Sequence, residues 1–245
     1  MATDVFPMQS VLFPDDESTK AARDLIFLQE LQRQAEIATT NFEHGWRRGM
    51  GTKDPHDALT WSLLQAGLFA AIVVKRLLWP GRVREYPGLS ESDSQSIARE
   101  RGKRLRSILE IEDDSPLLRV AAVRDSFEHI DERLDVATMP VVQCISDWYI
   151  TVGGLTATSD DGRAVALRAF NPAAGVLLFG DKILDLYALD LALLRLRQKV
   201  IEKTLEHAPK GRGTFGGHRL VAFDPEEVRR AATEWVAERK RLGHG

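Results

Sequence analysis

The chain has 245 residues, 44% of them hydrophobic and 28% charged, with a formal net charge of −3. This length can bury a large core, and the composition is that of a globular protein and not of a disordered one. The slightly negative balance argues against a uniform basic coat for nucleic acid or membranes, and the single cysteine, Cys144, excludes an intramolecular disulfide.

The N-terminal segment predicts an irregular arm followed by a long helix. Residues 1–18 contain two prolines and an acidic cluster, and they lack the charged start and apolar centre of a secretory signal. Together with the single cysteine, this favours a cytoplasmic protein. Apolar residues recur at helical spacing over 20–48, with Ser18 as a candidate N-cap, and the glycines within 49–51 predict the end of this first helix.

A second helix is predicted between the first helix and a Pro-Gly break. Asp54 can cap its start, Pro55 suits its first turn, and it should end near Trp79. The most apolar part, 63–74, is too short to span a bilayer. We therefore expect a buried core helix and no contact with a membrane.

Two further helices are predicted before residue 140. A polar third helix begins at Ser90 or Ser92 and reaches about Glu110. The pair Ser115-Pro116 is typical of an N-cap followed by the first helical residue, so a fourth helix should run over 115–138.

The remainder of the chain predicts a small β insert, another helix and a terminal helix. The alternating stretch at 148–172 indicates a β-hairpin that turns at 160–162, and a short third strand at 176–179 extends the β insert to 148–179. Helical periodicity returns over 181–207, a basic Gly-rich loop follows at 208–223, and a last helix covers 224–242. We thus expect one mainly α domain, 1–245, an up-and-down bundle of about five to six helices with a small β-hairpin insert.

The fourth helix carries the residues with the most specific chemistry. At about 100° per residue, one stripe of it is apolar and should face the core: Val120, Val123, Phe127, Ile130 and Leu134. Arg124 lies at the shoulder of that stripe, whereas Asp125 and His129 are four residues apart on the far side and can touch. Histidine titrates near neutral pH and can move a proton to or from a ribose hydroxyl, and arginine matches phosphate geometry.

The hexapeptide Arg124-Asp125-Ser126-Phe127-Glu128-His129 resembles the arginine and histidine signature of the HEPN superfamily (higher eukaryotes and prokaryotes nucleotide-binding). This resemblance implies an all-helical homodimer whose two Arg-His pairs line one cleft and cleave RNA without a metal or another cofactor. His129 would be the general acid and base, Arg124 the phosphate clamp and Asp125 the acid that orients the histidine ring.

The same reading assigns substrate contacts and partners. We expect Glu128 and Arg133 beside the catalytic pair, and Lys210 and Arg212 in the basic loop, to contact RNA, although that loop can equally serve as a linker between helices. A toxin or phage-defence role would add an antitoxin or regulatory protein as partner. Some members of the superfamily carry a modified tyrosine two residues after the histidine, and Asp131 stands there in this chain.

Simpler interpretations stay open at each of these positions. The Arg124 and His129 face can be a solvated helix surface, because Arg239 and His244 at the C-terminus have the same spacing, and the protein would then be a non-catalytic nucleotide-sensing or protein-interaction module. His44 can approach a site or only cap the first helix. The Gly-rich match at 211–216 follows a helix instead of a strand, which argues against a dinucleotide site.

Overall fold

The computed structural model describes the following residues: 17–86, 89–121, 123, 135, 144–147, 149–152, 164–180, 182–207, 214–215 and 218–219. Most of these residues are helical, which confirms the mainly α class. The predicted arm, apart from its last two residues, and the predicted C-terminal helix lie outside the described residues.

Four α-helices form the described helical part: α1 (Glu17–Gly51), α2 (Ala58–Leu78), α3 (Glu91–Ile108) and α4 (Leu186–His207). Helix α1 is longer than predicted at both ends, so Ser18 lies inside it and does not cap it. It ends at Gly51, the last residue of the predicted break, although Gly49 and Met50 are still helical. A methyl group at Gly49 would lie 2.8 Å from the Phe170 ring, so this glycine allows close packing on the sheet.

The starts of the next helices are defined by polar caps. Helix α2 is capped by Asp57 and not by Asp54, whereas α3 has its predicted N-cap, Ser90, whose hydroxyl accepts a hydrogen bond from the Asp93 amide. Helix α3 ends two residues earlier than predicted. Glu110 adopts a left-handed backbone conformation (φ +51°), which is incompatible with a continued right-handed helix.

The core is built where α1, α2 and α4 pack together. Their buried faces follow helical spacing, as shown by Leu28, Leu31, Ala35, Ala38 and Phe42 of α1, each 0% exposed. Among the described elements, the most extensive contacts are those of α1 with α2 and of α1 with α4. Gly67 of α2 permits the closest approach, because a methyl group there would lie 2.5 Å from the ring of Phe42.

Helix α2 is longer than the apolar stretch on which the membrane expectation rested. It has 21 residues and a mean hydropathy of 1.5 over its most apolar window, so by length and composition alone it could cross a membrane. Half of that window is buried inside the chain. The core helix of a globular protein can have the same length and composition. The length of 63–74 therefore does not distinguish a core helix from a membrane-spanning one.

A four-stranded mixed sheet packs against the helices, in the order β2-β4-β5-β6: β2 (Tyr149–Ile150), β4 (Arg168–Asn171), β5 (Val176–Phe179) and β6 (Lys182–Asp185). The strand predicted at 176–179 is confirmed. The prediction of a hairpin between the first two of these strands is wrong, because β2 and β4 pair in parallel. The antiparallel hairpins are β4 with β5 and β5 with β6.

Three smaller features complete the description. Residues 182–185 are strand β6, so the helix predicted over 181–207 begins only at Leu186. A parallel pair joins β1 (Cys144–Ser146) to β3 (Ala164–Ala166), and within the predicted basic loop β7 (Thr214–Phe215) pairs with β8 (His218–Arg219) in antiparallel fashion.

The inner face of the sheet joins the helical core. One side chain from each strand contributes to a single cross-strand row: Ile150, Phe170, Leu177 and Leu184. The amide of Ile150 also donates to the Pro55 carbonyl at 2.7 Å, which ties β2 to the loop before α2. The sheet therefore fixes the end of α1 and the start of α2.

Candidate functional site

The chain segment that leads into the predicted Arg-His helix is described and is helical. Ser115 caps a 3-10 helix, Pro116–Arg119, and its hydroxyl accepts a hydrogen bond from the Leu117 amide at 3.4 Å. Val120 and Val123 are then 0% and 1% exposed and belong to the main core. These two residues confirm the beginning of the predicted apolar stripe, whose other three members lie outside the described residues.

All residues assigned to catalysis or substrate contact fall outside the described part of the chain: Arg124, Asp125, Glu128, His129, Arg133, Lys210 and Arg212. Their roles and their mutual geometry stay predictions. Next to them, Asp135 is helical and exposed, and Val123, the residue before Arg124, is anchored in the core. The described residues thus give the start of this segment and two of its buried positions.

The histidine near the end of α1 has an ordinary surface environment. His44 is exposed, and the ion pairs around it link other residues: Glu43 with Arg47 at 2.7 Å, and Arg48 with Asp57. In the part of the chain that the structure describes, no group of three or more His, Cys, Asp or Glu residues is placed to hold a metal ion.

The most organised polar cluster connects α1 to α2 and centres on Asp57. The Arg48 guanidinium donates two hydrogen bonds to the Asp57 carboxylate, and Thr60 donates from its amide at 3.0 Å and from its hydroxyl at 2.6 Å. These donors, Arg48 first, hold the pKa of Asp57 well below its usual range. Because Arg48 belongs to the last turn of α1 and Thr60 to the first turn of α2, the cluster stabilises the connection between these two helices.

A second polar surface was not predicted as functional, although its signal is present in the sequence. Residues 75–106 contain nine lysines and arginines but four acidic residues, a net charge of +5 in a chain whose total is −3. The sequence interpretation treated this segment only as a helix end, a loop and a polar helix. Charge counted per segment, not per chain, would have revealed it.

The cations of α3 lie on two sides of the helix. The helix buries a stripe formed by Ser94, Ala98, Gly102 and Leu105. The two helix surfaces that flank this stripe have different partners. On one side, Arg101 stacks on Phe27 of α1 at 5.0 Å and Arg104 pairs with Asp24 at 2.7 Å. On the other side, at 100° per residue, Arg99, Lys103 and Arg106 fall within about 60° of each other.

The loop before α3 adds further cations next to the helix. Gln95 of α3 accepts a hydrogen bond from the Val83 amide at 3.1 Å and donates to the Gly81 carbonyl at 2.8 Å, so the loop runs beside the helix. Arg82 pairs with Glu91 at 2.7 Å and lowers the pKa of that carboxyl. We call Arg82, Arg84, Arg99, Lys103 and Arg106 the basic face.

Most of the basic face is exposed, and part of it lacks internal charge partners. Arg106 donates to the Leu78 carbonyl, covers the Trp79 ring at 5.2 Å and pairs with Asp113 at 3.3 Å. Among the described residues, Arg84, Arg99 and Lys103 have no ion-pair partner, and all three are exposed. These three cations remain accessible to an anion in solution.

Comparisons of this chain with protein family models, with curated proteins and with solved structures give no significant match.

Proposed function

We propose that this protein is a metal-independent endoribonuclease of HEPN type, in which Arg124 and His129 act at a cleft between two protomers. The observation that carries the proposal is the Arg124 to His129 motif in a segment whose start is capped by Ser115 and whose first apolar residues are buried. An anchored helix can hold two side chains five residues apart in a constant relation, which catalysis requires.

The proposed fold extends the described helical core. We infer an up-and-down bundle of five to six helices. It consists of the four described helices, the helix bearing Arg124 and the C-terminal helix, and the β strands form an insert. The mainly helical class and the single core shared by the described helices support this arrangement.

The proposed reaction is a transfer within the RNA chain. His129 removes the proton of a ribose 2′-hydroxyl, whose oxygen attacks the adjacent phosphorus, and the bond to the 5′-oxygen of the next nucleotide breaks. As general acid, protonated His129 gives a proton to the leaving oxygen and returns to its neutral form, and the products are a 2′,3′-cyclic phosphate and a 5′-hydroxyl. Arg124 stabilises the negative charge that develops on the phosphate oxygens, and Asp125 orients His129.

The surrounding residues complete the proposed substrate site. Glu128 directly precedes His129 and Arg133 follows it by four residues, and Lys210 and Arg212 offer charges to flanking phosphates. We propose a cytoplasmic homodimer that acts as a toxin or phage-defence effector and is held in check by an antitoxin or another regulatory protein.

The proposal is tested by incubating labelled single-stranded RNA with purified protein in EDTA and analysing the product ends. We expect wild-type protein to produce cyclic-phosphate ends, and Arg124→Ala and His129→Ala to produce none. A DNA oligonucleotide of the same sequence should stay intact because it has no 2′-hydroxyl. Equal cleavage by all three proteins, or no cleavage over a broad panel of RNAs, would instead indicate a non-catalytic nucleotide-sensing or protein-interaction module.

A further inference from the structure

The basic face concentrates positive charge in a protein that is acidic as a whole. Residues 75–106 carry a net charge of +5, so the remainder of the chain carries −8. Like charges on one surface repel one another and weaken folding, and they are usually neutralised by neighbouring acids. Arg104 and Arg82 are neutralised in this way, by Asp24 and Glu91.

Three exposed cations of the face are left for an external anion. Arg99 and Lys103 are one turn apart on α3, about 6 Å along the helix axis at 1.5 Å per residue. Arg84 lies in the loop that Gln95 and Glu91 hold against the start of the same helix. Together they extend from the loop to the middle of α3, so a bound anion would be long or repeated and not a single small ion.

From this arrangement we propose that the basic face binds the phosphodiester backbone of a nucleic acid. Four of its five cations are arginines, whose planar guanidinium donates paired hydrogen bonds to phosphate oxygens. The exposed residues beside Arg99 and Lys103 on the helix surface are polar, such as Ser96 and Ser107. The recognised feature is therefore the repeated charge of the backbone, and the bases are not read.

The same observations make a lipid surface the less suitable occupant. A helix that lies on a membrane needs large apolar side chains next to its cations. The only large hydrophobic side chain of α3 that is substantially exposed among the described residues, Ile97, points to the opposite side from Arg99 on the helical wheel. Trp79 is partly buried beneath Arg106 and is not available for insertion.

This inference goes beyond the proposed function, because binding to the basic face does not require Arg124 or His129 to be catalytic. If the nuclease proposal also holds, the face would hold the strand outside the cleavage site. The binding experiment uses His129→Ala protein in EDTA, so that no substrate is lost during the measurement, and it follows binding of fluorescent single-stranded RNA and DNA by anisotropy at several salt concentrations.

The variant to test is Arg99→Ala with Lys103→Ala. Both side chains are exposed and have no described ion-pair partner, and alanine favours a helix, so the fold should persist. The matched control is Lys53→Ala with Arg195→Ala, which removes the same charge from exposed positions in the loop before α2 and on α4. Circular dichroism of both proteins checks that they are folded.

We expect RNA and DNA to bind the parent protein with similar affinity, and the Arg99 and Lys103 variant to bind roughly tenfold to hundredfold more weakly at low salt. The slope of log affinity against log salt concentration should fall by about 1.4, or about 0.7 for each lost phosphate contact. The control should keep the parent affinity and slope.

Equal binding by the test and control variants would overturn the proposal, as would a parent protein that binds neither oligonucleotide. A further arm adds vesicles containing phosphatidylserine. Binding to these vesicles without binding to oligonucleotides would show that the face recognises a membrane surface, and the nucleic-acid proposal would be wrong. If wild-type protein cleaves RNA but the Arg99 and Lys103 variant binds oligonucleotides as tightly as its parent, the nuclease proposal stands. The proposal that the basic face binds nucleic acid is then wrong.

Discussion

Replacement of Asp57 by alanine should be one of the most damaging single changes in the helical core. The carboxylate accepts four hydrogen bonds, two from Arg48 and two from Thr60, and it is the N-cap of α2. Loss of an N-cap costs about 1–2 kcal/mol, and Thr60, which is 0% exposed, would keep a hydroxyl without its acceptor, at about 1–3 kcal/mol. Arg48 is half-exposed and regains water. We therefore expect a loss of about 2–4 kcal/mol in the free energy of unfolding.

The assay is urea unfolding followed by far-UV circular dichroism, with Asp54→Ala as the matched control. Asp54 is the residue that the sequence favours as the cap, but it is exposed and its carboxylate accepts only one described hydrogen bond, from the His56 amide at 2.9 Å. Its replacement should cost less than about 1 kcal/mol. A loss for Asp54→Ala equal to or larger than that for Asp57→Ala would refute the assignment of the cap.

The same carboxylate gives a pH dependence whose sign is fixed. Because the Arg48 guanidinium and Thr60 lower the pKa of Asp57 in the folded state, its ionised form stabilises the protein above the unfolded value of about 4. This contribution declines as the pH falls below that value. The difference in unfolding free energy between wild type and Asp57→Asn should thus be larger at pH 7 than at pH 3. A difference that does not change with pH would contradict the ion pair.

Three glycine substitutions test the packing by urea unfolding. Gly67→Ala should destabilise the protein by about 1–3 kcal/mol, because the new methyl group would meet the Phe42 ring at 2.5 Å, and a variant as stable as wild type would contradict this close contact. Gly51→Ala is its control in α1, where nothing lies within 4 Å, and should be neutral or stabilising by up to about 1 kcal/mol. Gly175→Ala should cost about 2–4 kcal/mol, because φ is +67° and the new methyl group would meet the Trp46 ring at 2.5 Å, and a loss below about 1 kcal/mol would show that the turn tolerates a side chain.

The helices could be predicted because their signals are local. Ser90 and Ser115 were recognised as caps from the residues that follow them, and the spacing of Leu28 and Leu31 was sufficient to predict the buried side of α1. The end of α1 at Gly51 also falls within the predicted break, but the packing role of Gly49 is not a local signal. Gly49 faces Phe170, more than one hundred residues away in the chain, so the reason for that glycine lies in tertiary packing.

The sheet was predicted less well because its pairing is not local. Alternation between Tyr149 and Asn171 indicates strands, but it does not give their direction, and a sequence turn signal favoured an antiparallel hairpin. Strand β4 pairs with β2 along one edge and with β5 along the other. A tight turn joins β4 to β5, and Gly175 in this turn has the left-handed conformation. The apolar residues of β6 continue the helical spacing of the following residues, so the sequence predicts that β6 belongs to the helix.

The candidate sites differ in what the sequence can give. The chemistry proposed for Arg124 and His129 rests on residue types and helical spacing, whereas the proposed cleft needs a second protomer, and sequence spacing holds no information on assembly. The basic face is the opposite case. Its charges are visible in the sequence, but only the fold separates Arg99 and Lys103 from Arg104, which Asp24 neutralises.

The rate of RNA cleavage in EDTA by wild-type protein and by His129→Ala is the most direct test of the proposed function. A histidine that transfers a proton in the rate-limiting step contributes about 10²–10⁴-fold to the rate. The proposed mechanism predicts a loss of this size for His129→Ala, with the variant still folded by circular dichroism. Cleavage at the wild-type rate by His129→Ala would contradict the mechanism and remove the basis for a HEPN-type nuclease.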